Sequence, residues 1–226
     1  MKKIILLLIC IALFSCASET EQKGLDTIAS LYDATVSYSK DFNSSAGQET
    51  QRTFNVKVSN SSLIDSLQPS VTTANIAMLI FEGFTAEEQS KYDYIDVELI
   101  STKQDTAAIT YNTKLVERVS KKSKNYKLFS KSLIEKDFAT IDKIKSKKDF
   151  PKPIAAGLRQ LIDELENEKG KLIRYQPFGV GETKNQAGEV AFQYQGFLIF
   201  ENGRTSYFVY VEDVLDNDKI VGFRIL

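Results

Sequence analysis

Residues 190–212 read VAFQYQGFLIFENGRTSYFVYVE, two runs of alternating side chains on either side of Asn202-Gly203. Alternation with period two puts one set of side chains on each face of a strand, and Asn-Gly supplies the positive φ angles of a two-residue hairpin turn. A turn centred there pairs Glu201 with Arg204, Phe200 with Thr205, Leu198 with Tyr207 and Gly196 with Val209. One face then carries Phe192, Tyr194, Leu198, Phe200, Tyr207 and Val209, apolar enough to lie under helices, and Gly196 leaves a gap in it for a bend or a ligand. The opposite face carries Gln193, Gln195, Phe197, Ile199, Phe208 and Tyr210, too aromatic to be left in water. Phe192, Tyr194 and Tyr207 are therefore candidates for a pocket mouth. Phe197, Phe208 and Tyr210 are candidates for an interface with the N-terminal half or a second protomer.

Outward from this hairpin, residues 172–180 and 219–225 read as further strands, which makes the end of the chain an antiparallel meander. Before it, Tyr126, Phe129, Leu133, Phe138, Ile141 and Ile144 have helical spacing with a break around Lys136. Pro151 and Pro153 end that unit, and Ile154, Leu158, Leu161, Ile162 and Leu165 form the face of another helix closed by Gly170.

The first half is read in the same way. Leu25, Ile28, Tyr32 and Val36 predict an amphipathic helix over residues 24–42, and Phe54, Val56 and Val58 a half-buried strand. A short helix stops near Pro69, and residues 71–81 form one buried nearly all round, with Gly83 as its cap. Thr85 with Glu88 is a capping box. Residues 94–100 place Ile95, Val97 and Leu99 inward, and residues 106–111 return as the hairpin partner. The fold class is α+β: an N-terminal α+β domain over residues 24–120, then a C-terminal domain over residues 123–226 of helices packed on a curved antiparallel sheet.

The chain has 226 residues, no histidine, no tryptophan, and two cysteines, Cys10 and Cys16. That composition removes histidine-based triads, Cys/His zinc sites, cysteine proteases and disulfides within the body. No cofactor, metal or catalytic residue is assigned. Residues 114–148 hold twelve basic side chains against four acidic ones, a net plus eight. Such a run reads as a solvated helix face, or as an electrostatic contact with anionic lipid. Nucleic acid is not expected as a partner, because no aromatic-basic recognition motif accompanies the charge.

Lys2 and Lys3 precede an apolar run over residues 4–14, then Ser15 and Cys16. The run has the charge, length and small-residue ending of a secretory signal. Leu13-Phe14-Ser15-Cys16 resembles the lipobox of bacterial lipoproteins. The resemblance implies a signal peptide over residues 1–15, an acylated Cys16 as the first mature residue, a tether over residues 16–23 and a membrane partner reached through the lipid. Ala17 after the cysteine resembles the pattern exported to the outer membrane of diderm bacteria, and Glu19 with Glu21 is similar to the acidic export signal of Bacteroidota surface lipoproteins.

Phe129-x3-Leu133-x3-Asp137-Phe138, residues 165–170 and the ending Lys219-Ile220-Val221-Gly222-Phe223-Arg224-Ile225 resemble the nuclear transport factor 2-like superfamily. The resemblance implies a curved sheet wrapped on helices around a cone-shaped pocket. Two functions follow as expectations: a non-enzymatic binding or scaffolding lipoprotein that takes a protein or a small apolar ligand, or a hydrolase or isomerase using carboxylate or tyrosine chemistry in the pocket. Three local patterns have plainer readings. Gly179-Val180-Gly181 is a turn, Asp213, Asp216 and Asp218 are exposed acids of a hairpin, and Ser37-x-x-Lys40 lies on the first helix.

Overall fold

A computed structural model describes residues 17–44, 50–184, 188–214 and 218–226. Cys16, residues 1–15, which the sequence reads as a signal peptide, and Asp216 lie outside the described residues. The fold is α+β. Helix α1 (Glu19–Tyr32) leads into strands β1 (Thr35–Asn43) and β2 (Gln51–Ser59). Helices α2 (Ser62–Asp65), α3 (Pro69–Gly83) and α4 (Ala86–Lys91) cross over to β3 (Tyr94–Ile100), which turns back as β4 (Thr106–Asn112). Helices α5 (Thr113–Ile134), α6 (Phe138–Ile144) and α7 (Ala155–Lys169) precede β5 (Leu172–Lys184), β6 (Val190–Phe200), β7 (Gly203–Glu212) and β8 (Ile220–Ile225).

The strands form two four-stranded sheets, each in sequential order. In the first, β2 and β3 run parallel, which requires the crossover that the helices between them supply, and the outer pairs are antiparallel. The second is antiparallel throughout. One core joins them: Ile28, Phe54, Ile76 and Val97 from the first half are continuous with Phe129, Tyr194, Leu198 and Val209 from the second. Ser120, where the sequence divides the halves, falls inside α5.

Local chemistry accounts for most boundaries. Lys136 adopts a left-handed φ of 56° between α5 and α6 and so marks the expected break. Gly170 closes α7 at φ 78°. The Thr85–Glu88 capping box starts α4. Ile95, Val97 and Leu99 point inward on β3 as their alternation predicts.

Several expectations are corrected. The first helix ends at Tyr32, where Asp33 takes a left-handed φ of 48°, and residues 35–43 continue as β1. Ser37 and Lys40, three apart on a strand, point to opposite faces and form no nucleophile pair. Residues 18–23 are not a tether: Ser18 caps α1 through a full capping box with Glu21. Gly83 ends α3 without capping it; a Cβ there would lie 3.1 Å from the Gly24 Cα, so the two glycines allow α1 and α3 to touch backbone to backbone. Gly179-Val180-Gly181 lies within β5, not in a turn.

The decisive hairpin is correct in its faces and shifted by two residues in register. Phe200 pairs with Gly203, Leu198 with Thr205 and Gly196 with Tyr207, so Glu201 and Asn202 make the turn. The turn is held from outside the hairpin: the Asn202 N–H donates to the Lys169 carbonyl (2.8 Å), and the Glu201 N–H to that of Lys171 (3.1 Å). A shift of two leaves every side chain on its expected face.

Candidate functional site

Where the sheets approach each other, α3, the β4–α5 junction, β5 and β6 enclose a cleft of about 450 Å³. Val71 and Ala74 on α3, Val116 and Val119 on α5, Val180 on β5 and Phe192 on β6 line it. Glycines set the spacing of these walls. Cβ atoms at Gly179 and Gly181 would each come within 3.1 Å of a Val71 methyl, so the missing side chains let Val71 of α3 sit close against β5.

Among the described residues, the polar groups that line the cleft are neutral except one. Gln195 Nε2 donates to Gln193 Oε1 (3.0 Å), and Gln193 Nε2 donates to the Tyr210 hydroxyl (2.8 Å). The Tyr111 hydroxyl donates to the Ser70 carbonyl (3.2 Å) and lies 2.7 Å from Thr73 Oγ1. Burial pushes the Tyr111 phenol above its ordinary range, against the pull of Thr73, so it acts as a neutral hydrogen-bonding group. Glu182 lines the cleft as an exposed carboxylate. Arg118 lies over the Phe192 ring at 5.7 Å and grips Asp213, with Nε to Oδ1 at 2.9 Å. Apolar walls with amide and hydroxyl groups suit an uncharged, largely apolar ligand.

No protein-family model, no curated protein and no solved structure matches this chain.

Of the three pocket candidates, Phe192 lines the cleft, and Tyr194 and Tyr207 lie fully buried beneath α5. Tyr126 from α5 stacks on Tyr194 (5.1 Å) and Tyr207 (5.9 Å). The Tyr207 hydroxyl donates to that of Tyr126 (3.1 Å) and lies 2.6 Å from Ser130 Oγ, and the Tyr194 hydroxyl donates to the Val119 carbonyl (2.6 Å). Burial raises all three phenols well above their usual range. Tyr194 and Tyr207 are thus packed into the core by Tyr126 and line no pocket mouth among the described residues.

The three interface candidates also separate. Phe197 is buried, packed against Phe178 at 4.3 Å with the Arg204 guanidinium 4.2 Å over its ring. Next to it the first half covers the sheet: Gln176 Nε2 donates to the Leu31 carbonyl, and the Tyr32 hydroxyl to that of Phe178 (3.2 Å). Phe208 and Tyr210 are half-buried. Tyr210 borders a second cleft of about 510 Å³ with Lys148, Glu189 and Glu212. Burial, then Asp149 across that cleft, raises the Glu212 carboxyl above its ordinary value.

The basic segment meets acids from elsewhere in the chain. Lys127 binds Glu82 (2.6 Å), Lys136 binds Glu166 (2.5 Å), Lys148 binds Glu189 (2.9 Å), and Arg118 binds Asp213. Much of the plus-eight run is thus spent within the molecule. Among the described residues no group of three or more His, Cys, Asp or Glu could hold a metal ion, and no helix is long and apolar enough to cross a membrane.

The sequence reading missed Val71, Ala74, Tyr111, Leu115 and Val119. Leu115 among them is 42% exposed, next to Lys114 on the first turn of α5.

Proposed function

We propose that this chain is a lipid-anchored cell-envelope protein that acts as a non-enzymatic binding module, and that the cleft between its sheets takes an uncharged, largely apolar ligand or side chain. The observation that carries this is the cleft lining: valines, Ala74 and Phe192 with a chain of amides and, among the described residues, a single carboxylate, Glu182, exposed to solvent. A hydrolase would need a sequestered acid or nucleophile aimed at the bound group. The tyrosines of α5 and the second sheet that burial perturbs are turned into the core, where Tyr207 bonds to Tyr126 and Tyr194 to the Val119 carbonyl.

The anchoring part rests on Leu13-Phe14-Ser15-Cys16 behind its apolar run. Two acyl chains at about 0.8 kcal/mol per buried CH₂ hold a protein on a membrane through washing. The order of three helices and an antiparallel four-stranded meander supports the resemblance of the second half to the nuclear transport factor 2-like superfamily.

Fractionation of cells carrying the wild-type and Cys16→Ser chains tests the anchor. Wild type stays with membrane after a high-salt wash and the variant moves to the soluble fraction; a variant that stays bound contradicts it. Native mass spectrometry of the extracted protein tests the cleft, with a bound small molecule in wild type that is missing from Ala74→Phe.

A further inference from the structure

We infer that the end of the molecule carrying Ser18, α4 and the paired Phe42 and Arg52 of β1 and β2 faces the bilayer, and that Phe42 dips into the lipid interface. The inference rests on acylation of Cys16 and adds to it an orientation and a second contact.

The first observation is the lack of slack after the anchor. Ala17 already packs against the core. Ser18 caps α1, and its hydroxyl also donates to the Glu88 carboxylate, which accepts from Thr20 as well (2.8 Å). Glu88 is itself the capping-box acid of α4, so one carboxylate ties the starts of two helices together. Glu21, 1% exposed, accepts from Lys40 Nζ (2.7 Å), the Tyr92 hydroxyl (2.7 Å) and the Ser18 N–H (2.7 Å). Two residues of chain span at most about 7 Å. A lipid on Cys16 is therefore attached to a rigid corner, not to a leash.

The second observation is what stands beside that corner. β1 returns alongside α1: Val36 and Tyr38 pack against the core, Lys40 reaches Glu21, and Phe42 is next on the same face. From Tyr32 back to Ser18 the helix rises about 21 Å, and from Thr35 to Phe42 the strand advances about 24 Å. Phe42 is thus level with the chain entry or just past it, beyond anything in the core that could cover it. It is 57% exposed, the most exposed of the large apolar side chains among the described residues. A phenylalanine standing level with two acyl chains meets the headgroup–acyl boundary, where interfacial apolar groups insert by about 5–10 Å. α4 at this end carries Glu87 and Glu88 as well as Lys91, so the contact does not depend on anionic lipid.

The test uses the full chain, acylated in cells, carrying either Phe42→Cys or Thr35→Cys. Both sites are exposed and lie at opposite ends of one strand. An environment-sensitive thiol fluorophore is attached, and the protein is placed in neutral phosphatidylcholine vesicles containing a doxyl-quencher lipid. Flotation of the vesicles and the number of labels per chain are measured on the same sample. The inference expects one label per chain, since acylated Cys16 is blocked, and several-fold stronger quenching at position 42 than at 35. Floating protein with equal quenching at the two sites overturns the orientation and leaves the anchor intact. Protein that fails to float, or that takes up an extra label at Cys16, overturns the anchor and the inference with it.

Discussion

The Tyr126 hydroxyl lies 2.7 Å from the point where a Cβ on residue 196 would sit, so Gly196 is the floor on which the α5 tyrosine rests. The same missing Cβ would fall 2.6 Å from Tyr207 Cε1. The gap that Gly196 leaves in the sheet is filled by two rings from the protein itself. Gly196→Ala should therefore destabilise the fold by about 3 kcal/mol, the upper part of the usual overpacking range. Adding Tyr126→Phe, which removes one of the clashing atoms, should recover part of that loss in a urea melt. A Gly196→Ala chain as stable as wild type would mean that the rings are not packed this way.

Glu21 gives the molecule a defined acid sensitivity. Burial alone would raise its carboxyl above the ordinary 4.5, but hydrogen bonds from Lys40, Tyr92 and Ser18 outweigh it and hold the value lower. A depressed folded-state pKa contributes stability that is fully present above the unfolded value and is lost as pH falls through the folded one. The wild-type advantage over Glu21→Gln should be largest at neutral pH and shrink below about pH 4. Breaking one side of a buried pair costs about 3–5 kcal/mol, and the partial exposure of Lys40 puts this case at the low end. Thermal melts of both chains from pH 3 to 7 measure it.

The outer face of the second sheet should show an unequal pair of phenylalanines. Phe197 is buried between Phe178 and Arg204, and Phe208 is half-buried. Phe197→Ser should cost about 3 kcal/mol or more, Phe208→Ser about 1 kcal/mol or less. Equal losses, or a change in sedimentation with Phe208→Ser alone, would point to a second protomer on that face.

Thr72 is fully buried, and among the described residues its hydroxyl has no hydrogen-bond partner. Thr72→Val keeps the shape and removes a desolvated polar group, so it should stabilise the fold by about 1 kcal/mol. A loss of stability on denaturant unfolding would show that the hydroxyl is satisfied.

The elements whose signals are local were legible in the sequence: the alternation of β3, the break at Lys136 and the meander of the second sheet. β1 was not, because Tyr32 and Val36 are four apart, an interval that fits a helix turn and a strand face equally well. The hairpin register was not either, because contacts from Lys169 and Lys171 outweigh the local preference of Asn202-Gly203. The cleft was the least legible part. Its walls come from residues as far apart as Gln68 and Gln195, and no periodicity within one element announces a surface that five elements share.

The most direct measurement of the central claim is a fluorescence titration of the unacylated Cys16→Ser chain with the neutral apolar probe N-phenyl-1-naphthylamine, in wild-type background and with Ala74→Phe. Ala74 lines the cleft, and a phenyl ring there occupies its volume. The account predicts saturable binding of one probe per chain, weakened at least tenfold by Ala74→Phe, with the melting temperature of the variant close to that of its parent. Equal probe binding by the two folded chains would contradict it.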